Sequence, residues 1–260
     1  MKLGANWTGW TSSSLVANLI KFKKIDYCEI LLDNFFHFSA SDLNSFLGDT
    51  PVAFHVMNSR YLESDLICLK SFLQTIVHFK GAMNPIYISD HLAQFTHSGR
   101  LLPRVTEIDY DRTYQLCKDR IDLYQEIIGE ILLVENFPSQ SNQGKGQVQF
   151  YRSLMKDCGC GLLFDISNAI VADLNGGDSW TDWSDLFAET KHFHIAGFGT
   201  SSLDENLYID SHDSPLSETS LQSWLLIKEK ANISSLTIER DFHLEYESWL
   251  GDFNEIRARS

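Results

Sequence analysis

Eight short apolar runs recur along the chain with helix-length stretches between them: KLGANW (2–7), YCEILLD (27–33), PVAFHV (51–56), PIYISDHL (85–92), EILLVEN (130–136), GLLFDIS (161–167), HFHIAG (192–197) and SSLTIER (234–240). Each is the length of a strand and rich in β-forming residues. Between them, LESDLICLKSFLQTIVHF (62–79) and YDRTYQLCKDRIDLYQEIIGE (110–130) read most clearly as helices. The second sets Tyr114, Cys117, Ile121, Tyr124 and Ile128 on one apolar stripe at spacings of three and four. Pro51 and Pro85 open two of the runs, where a missing N–H costs a strand little. Alternation of this kind builds a parallel sheet, either closed or doubly wound. A doubly wound nucleotide fold calls for a glycine-rich first turn, and GANWTG does not match GxGxxG. The expectation is an α/β protein, a (β/α)8 TIM barrel. Its usual length of ~250 residues fits one domain over residues 1 to 260, which no linker or repeat divides.

Four runs stop on a residue that can bind a metal: His55, His91, Glu135 and Asp165. Three further segments do the same, HFHIAG with His194, YIDSH with Asp210 and His212, and SLTIERD with Glu239. Strands of a parallel barrel are apolar along their length and turn polar at their C-terminal ends, which converge on one mouth. With Asn168, three residues after Asp165, the set has nine potential ligands, too many for one ion and enough for two or three. Imidazole and carboxylate without thiolate suit Fe, Zn or Mn.

Each of these residues has a plainer reading. A lone histidine at a strand end is more often structural than a ligand, and Asn168 suits a helix N-cap. Four imidazoles beside four carboxylates at equivalent strand ends shift the balance, because burying so many titratable groups together is costly unless metals offset their charge. His37, His78, His97 and His243 lack that placement and read as surface or packing residues, while His192 points the same way as His194 but deeper. Asp241, two residues past Glu239, is a candidate orienting or acid/base group; capping, or pairing with Arg240, is its alternative. Irregular stretches at 139 to 147, 174 to 180 and 197 to 214 would build the active face as βα loops, the last, with Asp210 and His212, being either a cover that completes the site or an ordinary surface loop.

A net charge of -14 with 21 scattered Lys and Arg argues against a nucleic-acid partner. Five cysteines without a CxxC pair suggest neither a disulfide framework nor a zinc ribbon. The start MKLGANWTGW has no basic segment followed by an apolar one, and no apolar run approaches the ~20 residues of a membrane span, so a cytoplasmic location is expected. Trp180, Trp183 and Trp249 are candidates for an interface, against the commoner fate of tryptophan in a core.

FHV at His55, SDHL at His91, LLVENFPS at Glu135, GLLFDISNAIVADLNGG at Asp165 and Asn168, HIAGF at His194, YIDSHDSP at Asp210 and His212, and TIERD at Glu239 stand in an order that resembles the multinuclear non-haem iron-dependent oxidative enzymes. The resemblance spans nearly the whole chain. It implies a TIM barrel with two or three irons, Fe(II) and Fe(III), at its mouth, acting with O2 on a cysteine of a ribosomally made precursor peptide that a partner protein presents. By motif, His55, His91 and Glu135 would hold one iron. Glu135, Asp165, His194 and Glu239 would surround a second, and Asn168, Asp210 and His212 a third. Phe198 stands where the family usually has a histidine, Asp90 where it has a glutamate, and GANWTGW replaces its N-terminal Arg and His pattern. These departures look most like the methanobactin-synthesis branch, a heterodimer that converts peptide cysteines to an oxazolone with a neighbouring thioamide. Competing readings are a divalent-metal sugar isomerase or hydrolase in a TIM barrel, and a metal-loaded scaffolding subunit without activity.

Overall fold

The computed structural model describes residues 1 to 140 and 144 to 259, so part of the loop expected at 139 to 147 lies outside the described residues. In chain order the strands are β1 (Lys2–Trp7), β2 (Tyr27–Leu31), β3 (Val52–Val56), β4 (Ile88–His91), β5 (Gln94–His97), β6 (Arg100–Thr106), β7 (Leu132–Glu135), β8 (Gly161–Asp165), β9 (His192–Ala196), β10 (Gly199–Thr200), β11 (Tyr208–Ile209) and β12 (Ser235–Glu239). The helices are α1 (Ser13–Lys21), α2 (Ala40–Leu47), α3 (Leu66–Met83), α4 (Tyr114–Ile128), α5 (Gln147–Cys158), α6 (Ile166–Leu174), α7 (Glu218–Lys228) and α8 (Tyr246–Ala258). Strands β1, β12, β9, β8, β7, β4, β3 and β2 close in that order into an eight-stranded barrel, every pair parallel. All eight expected runs supply a barrel strand.

Local chemistry fixes the helix ends. Asp65 caps α3 by accepting from the Ile67 and Cys68 amides, and Ser39 and Asp42 form a reciprocal capping box at α2. Chain reversal after α3 and α4 uses left-handed residues, Asn84 and Gly129. The stripe read on α4 is the face that packs: Cys117, Ile121, Tyr124 and Ile128 are buried and Tyr114 is half-buried.

Period-two alternation separates two environments. On β3, Val52, Phe54 and Val56 join the main core outside the barrel, while Ala53 and His55 point inward. Inside, Tyr27, Ala53, Tyr87, Leu133 and Leu163 fill a lower layer, so the barrel is plugged beneath its C-terminal mouth. Burying a large apolar side chain contributes about 1.5–3 kcal/mol, and the core outside the barrel includes Trp183 and Trp249. Those two tryptophans are therefore packing residues and not an interface; Trp180 is half-buried against the same core.

Two hairpins rise from the mouth. After β4, β5 and β6 pair antiparallel across a turn at Ser98 and Gly99, both at positive φ, and Glu63 pins the hairpin by accepting from the Phe95 and Thr96 amides. After β9, the stretch 197 to 214 forms the short pair β10 and β11 and returns its end to the mouth.

Candidate metal centre

Strand register brings the expected residues to one level. His91 pairs with Glu135, and Asp165 with His194, across adjacent strands. His55, Glu135, Asp165, His194 and Glu239 are all buried, and His91 is half-buried. One ligand atom each from His55, His91 and Glu135 lies within 4.8 Å of the others, and the same holds for Glu135, Asp165, His194 and Glu239. Glu135 belongs to both groups and would bridge them.

Individual distances are short but unaligned for hydrogen bonding. Glu135 Oε2 is 3.3 Å from His55 Nε2 and 3.2 Å from His91 Nδ1, and His194 Nδ1 is 3.1 Å from Glu239 Oε2. Even so, Glu135 Oε2, Asp165 Oδ2, His194 Nδ1 and Glu239 Oε2 are buried without a hydrogen-bond partner. Orphaned buried groups of this kind cost about 1–3 kcal/mol each, more when charged. Several of them converging on one space fit metal ions, because two donors about 2.1 Å from a common ion and at right angles stand about 3.0 Å apart.

The other halves of these side chains are tied down. Asp165 caps α6: its Oδ1 accepts from the Asn168 amide at 2.7 Å, leaving Oδ2 free. Asn168 does not cap the helix itself. Its Nδ2 donates to Glu135 Oε1 at 3.2 Å and to Asn136 O at 3.0 Å, while its Oδ1 is buried and unpartnered. His55 Nδ1 meets Ser89 Oγ at 2.8 Å.

Asp210 and His212 arrive from the stretch after β11. His212 Nε2 lies 2.7 Å from Asp210 Oδ2 and 3.9 Å from Glu239 Oε2, which puts the pair beside the inner group. The backbone of His212 is left-handed, φ 48, a conformation that costs a non-glycine residue energy. Three hydrogen bonds impose it: its amide donates to Gly197 O at 3.0 Å, and its carbonyl accepts from the Asp241 and Phe242 amides. Gly197 permits the approach, since a Cβ there would stand 2.0 Å from Ser214 O. Asp241 faces the site, with Oδ2 accepting from His212 Nδ1 at 3.0 Å and Oδ1 from Asn6 Nδ2 at 2.8 Å. Arg240 pairs instead with Asp252, so Asp241 does not take it as its partner.

Electrostatics follow from burial and charge. Burial pushes the Glu135 carboxyl up to about 7, and raises Asp165 with Asp210 and Glu239 adding to the effect. Burial takes His91 down to about 3 and lowers His55. For His194 burial acts downward, but the carboxylates of Glu239 and Glu29 outweigh it and its pKa rises. Cations in the mouth would relieve the crowded carboxylates and take the place of these protons.

Sequence reading missed Glu29. It lies mid-strand on β2, 1% exposed, and accepts from His194 Nε2 at 2.8 Å and from the Tyr87 hydroxyl. A carboxylate inside an apolar run, sharing its face with Tyr27, was the available signal. His192 lies below His194 as expected, its Nδ1 2.8 Å from Ser235 Oγ, and His37, His78, His97 and His243 are exposed. Above the ligand set the mouth is a cavity of about 260 Å³ with an apolar wall of Leu31, Met57, Val105, Phe137 and Phe242. No helix among the described residues is long and apolar enough to cross a membrane.

Residues 7–259 match the model of a family described as RiPP precursor modification enzyme MbnB/TglH/ChrH. A UPF0276 protein of Rhizobium meliloti (strain 1021) is 34% identical over 142 residues, 52% of this chain and 46% of that one. Another, of Paraburkholderia phytofirmans (strain DSM 17436 / LMG 22146 / PsJN), is 28% identical over 162 residues, 59% and 52% of the two. The matched region thus spans about half the length of these relatives. Among solved structures, E. coli 3-keto-D-glucoside 4-epimerase superposes with TM-score 0.59 at 12% identity over 100% of this chain and 98% of that one. The IOLI protein with a bound zinc atom does so with TM-score 0.63 at 13% identity over 100% and 96%. At those identities the likeness is one of fold.

Proposed function

The chain belongs to the RiPP precursor modification enzyme family MbnB/TglH/ChrH, and from that membership and the geometry of the mouth we propose an O2-dependent multi-iron oxidase acting on a cysteine of a ribosomally made precursor peptide. The product we favour is an oxazolone with a neighbouring thioamide, as in methanobactin-type copper chelators. A partner protein presents the peptide, and the reaction takes place in the cytoplasm. The observation that carries the reading is the convergence of Glu135 Oε2, Asp165 Oδ2, His194 Nδ1 and Glu239 Oε2, buried and without hydrogen bonds.

Residue roles follow from position. His55, His91 and Glu135 would hold one metal, the outer, Glu135, Asp165, His194 and Glu239 a second, the inner, and Asn168, Asp210 and His212 a third. Bound iron would supply one-electron redox chemistry with O2 and Lewis acidity toward the substrate sulfur. The apolar wall of Leu31, Met57, Val105, Phe137 and Phe242 suits a thiol side chain better than a polyhydroxylated sugar. Asp241, half-exposed to the mouth, holds the Nδ1 proton of His212 and is the base we assign to the peptide amide proton that must leave for ring closure.

The test is to supply anaerobically purified protein with ferrous iron, partner and a cysteine-containing peptide encoded beside its gene, then follow O2 uptake and peptide mass. His55→Ala and Glu239→Ala should abolish both signals. Undiminished turnover in both variants, or a protein that takes up Zn or Mn and no iron, would overturn the reading; the latter would favour a sugar isomerase or hydrolase.

A further inference from the structure

The metal groups sit on a polar floor that the ligand set does not include. Glu29 is buried inside the barrel one layer above Tyr27, and its Oε2 receives both the His194 Nε2–H and the Tyr87 hydroxyl. Because a carboxylate only accepts, the shared proton of that contact belongs to His194 Nε2. The opposite nitrogen, Nδ1, is the one that faces Glu239 Oε2 at 3.1 Å and Glu135 Oε1 at 3.6 Å. Tyr87 in turn lies 3.3 Å from Thr237 Oγ1, which meets the Tyr27 hydroxyl at 2.7 Å. Gly4 leaves room for that layer, since a Cβ there would fall 2.3 Å from the Tyr27 ring.

We propose that Glu29, held in place by Tyr87, is a positioning residue that commits Nδ1 of His194 to the inner metal and adds a second negative charge behind it. The inference rests on the metal-centre reading above and deepens it. A neutral imidazole can bind a metal through only one nitrogen at a time, and the partner of the other nitrogen decides which. Without a partner that only accepts, the proton is free to sit on Nδ1, where it would block the metal. Buried carboxylate behind imidazole also raises its basicity as a ligand. Glu29 does this through His194 and need not touch the metal or the substrate.

Glu29→Gln tests this best, because the amide keeps the shape and offers His194 a donor as readily as an acceptor. The probe is ferrous iron alone, titrated anaerobically, read as affinity, iron per chain, and the rise in melting temperature on loading. Glu29→Gln should weaken the inner metal on the order of 10–100-fold and shrink that rise, measured from the variant's own metal-free melting temperature. Tyr87→Phe should show a smaller loss in the same direction. Tyr27→Phe removes a hydroxyl from the same floor that does not reach Glu29, and should leave the affinity within about twofold. Wild-type affinity in Glu29→Gln, or equal losses in Tyr27→Phe and Tyr87→Phe, would overturn the proposal. Wild type that takes up no iron would instead overturn the metal-centre reading, so the two failures are distinguishable.

Discussion

The Nε2 atoms of His55 and His91 lie 2.9 Å apart, on strands β3 and β4, with Glu135 Oε2 reaching both rings from β7. Two imidazole nitrogens that close are either bridged by a proton or ligands of one ion, and their spacing is that of neighbouring donors on a metal. His55→Ala should therefore remove about one metal ion per chain, read by elemental analysis, and leave the inner group loaded. Equal metal in the variant and the wild type would place the outer ion elsewhere.

Asp241 should matter through His212. Asp241→Asn keeps the shape but no longer offers an obligate acceptor to His212 Nδ1 at 3.0 Å. We expect turnover to fall on the order of 10–100-fold with the iron held by the inner group unchanged. Full activity in this variant would remove both the orienting and the proton-accepting role.

Loading should depend on pH through the buried carboxyls, with the raised imidazole of His194 acting in the same direction. Burial has taken Glu135 up to about 7, and the folded pKa of Asp165 is raised as well. In the metal-free protein such a group contributes stability that is complete below its unfolded pKa and lost as pH rises through about 7. Metal binds the deprotonated form and gains over the same window. His91, taken down to about 3, acts in the other sense: its contribution is present above 6.5 and lost only as pH falls toward about 3. The gap in melting temperature between loaded and metal-free protein should widen from about pH 6 to about pH 8. A gap that stays constant would contradict the protonation scheme.

Gly197→Ala probes the stretch that delivers Asp210 and His212. The added methyl would strike Ser214 O, and the His212 amide would lose its bond to Gly197 O. The barrel should survive, because the clash lies beyond the end of β9, while activity and the third metal are lost. Circular dichroism and metal content separate those outcomes; unchanged activity would mean the stretch can shift without cost.

Buried pairing behind β12 should be sensitive in a different way. Arg240, 1% exposed, is neutralised by Asp252 and also donates to Ser248 from α8. Asp252→Ala leaves that guanidinium unpaired and should cost about 3–5 kcal/mol in urea unfolding. A loss under about 1 kcal/mol would show that the arginine finds water instead.

The barrel was legible because the ends of five of its eight strands carry chemistry that an apolar run otherwise excludes: His55, His91, Glu135, Asp165 and Glu239 announce both where a strand stops and which way it faces. Asp210 and His212 were readable only as residue types, since no periodicity tells where a long loop returns. Glu29 escaped because it sits inside its strand, and its role depends on His194, a residue 165 positions away. The β5 and β6 hairpin escaped for a similar reason. Its Ser98-Gly99 turn is a hairpin signal, but the flanking segment contains Pro103 and exposed residues and so lacks the alternation of a buried strand.

Anomalous diffraction at the iron edge, from protein purified anaerobically and crystallised with ferrous iron, addresses the central claim most directly. The account requires one peak among His55, His91 and Glu135, and a second among Glu135, Asp165, His194 and Glu239, with Glu135 shared. Density for water alone in that space, with the four orphaned atoms hydrogen-bonded to it, would contradict the account.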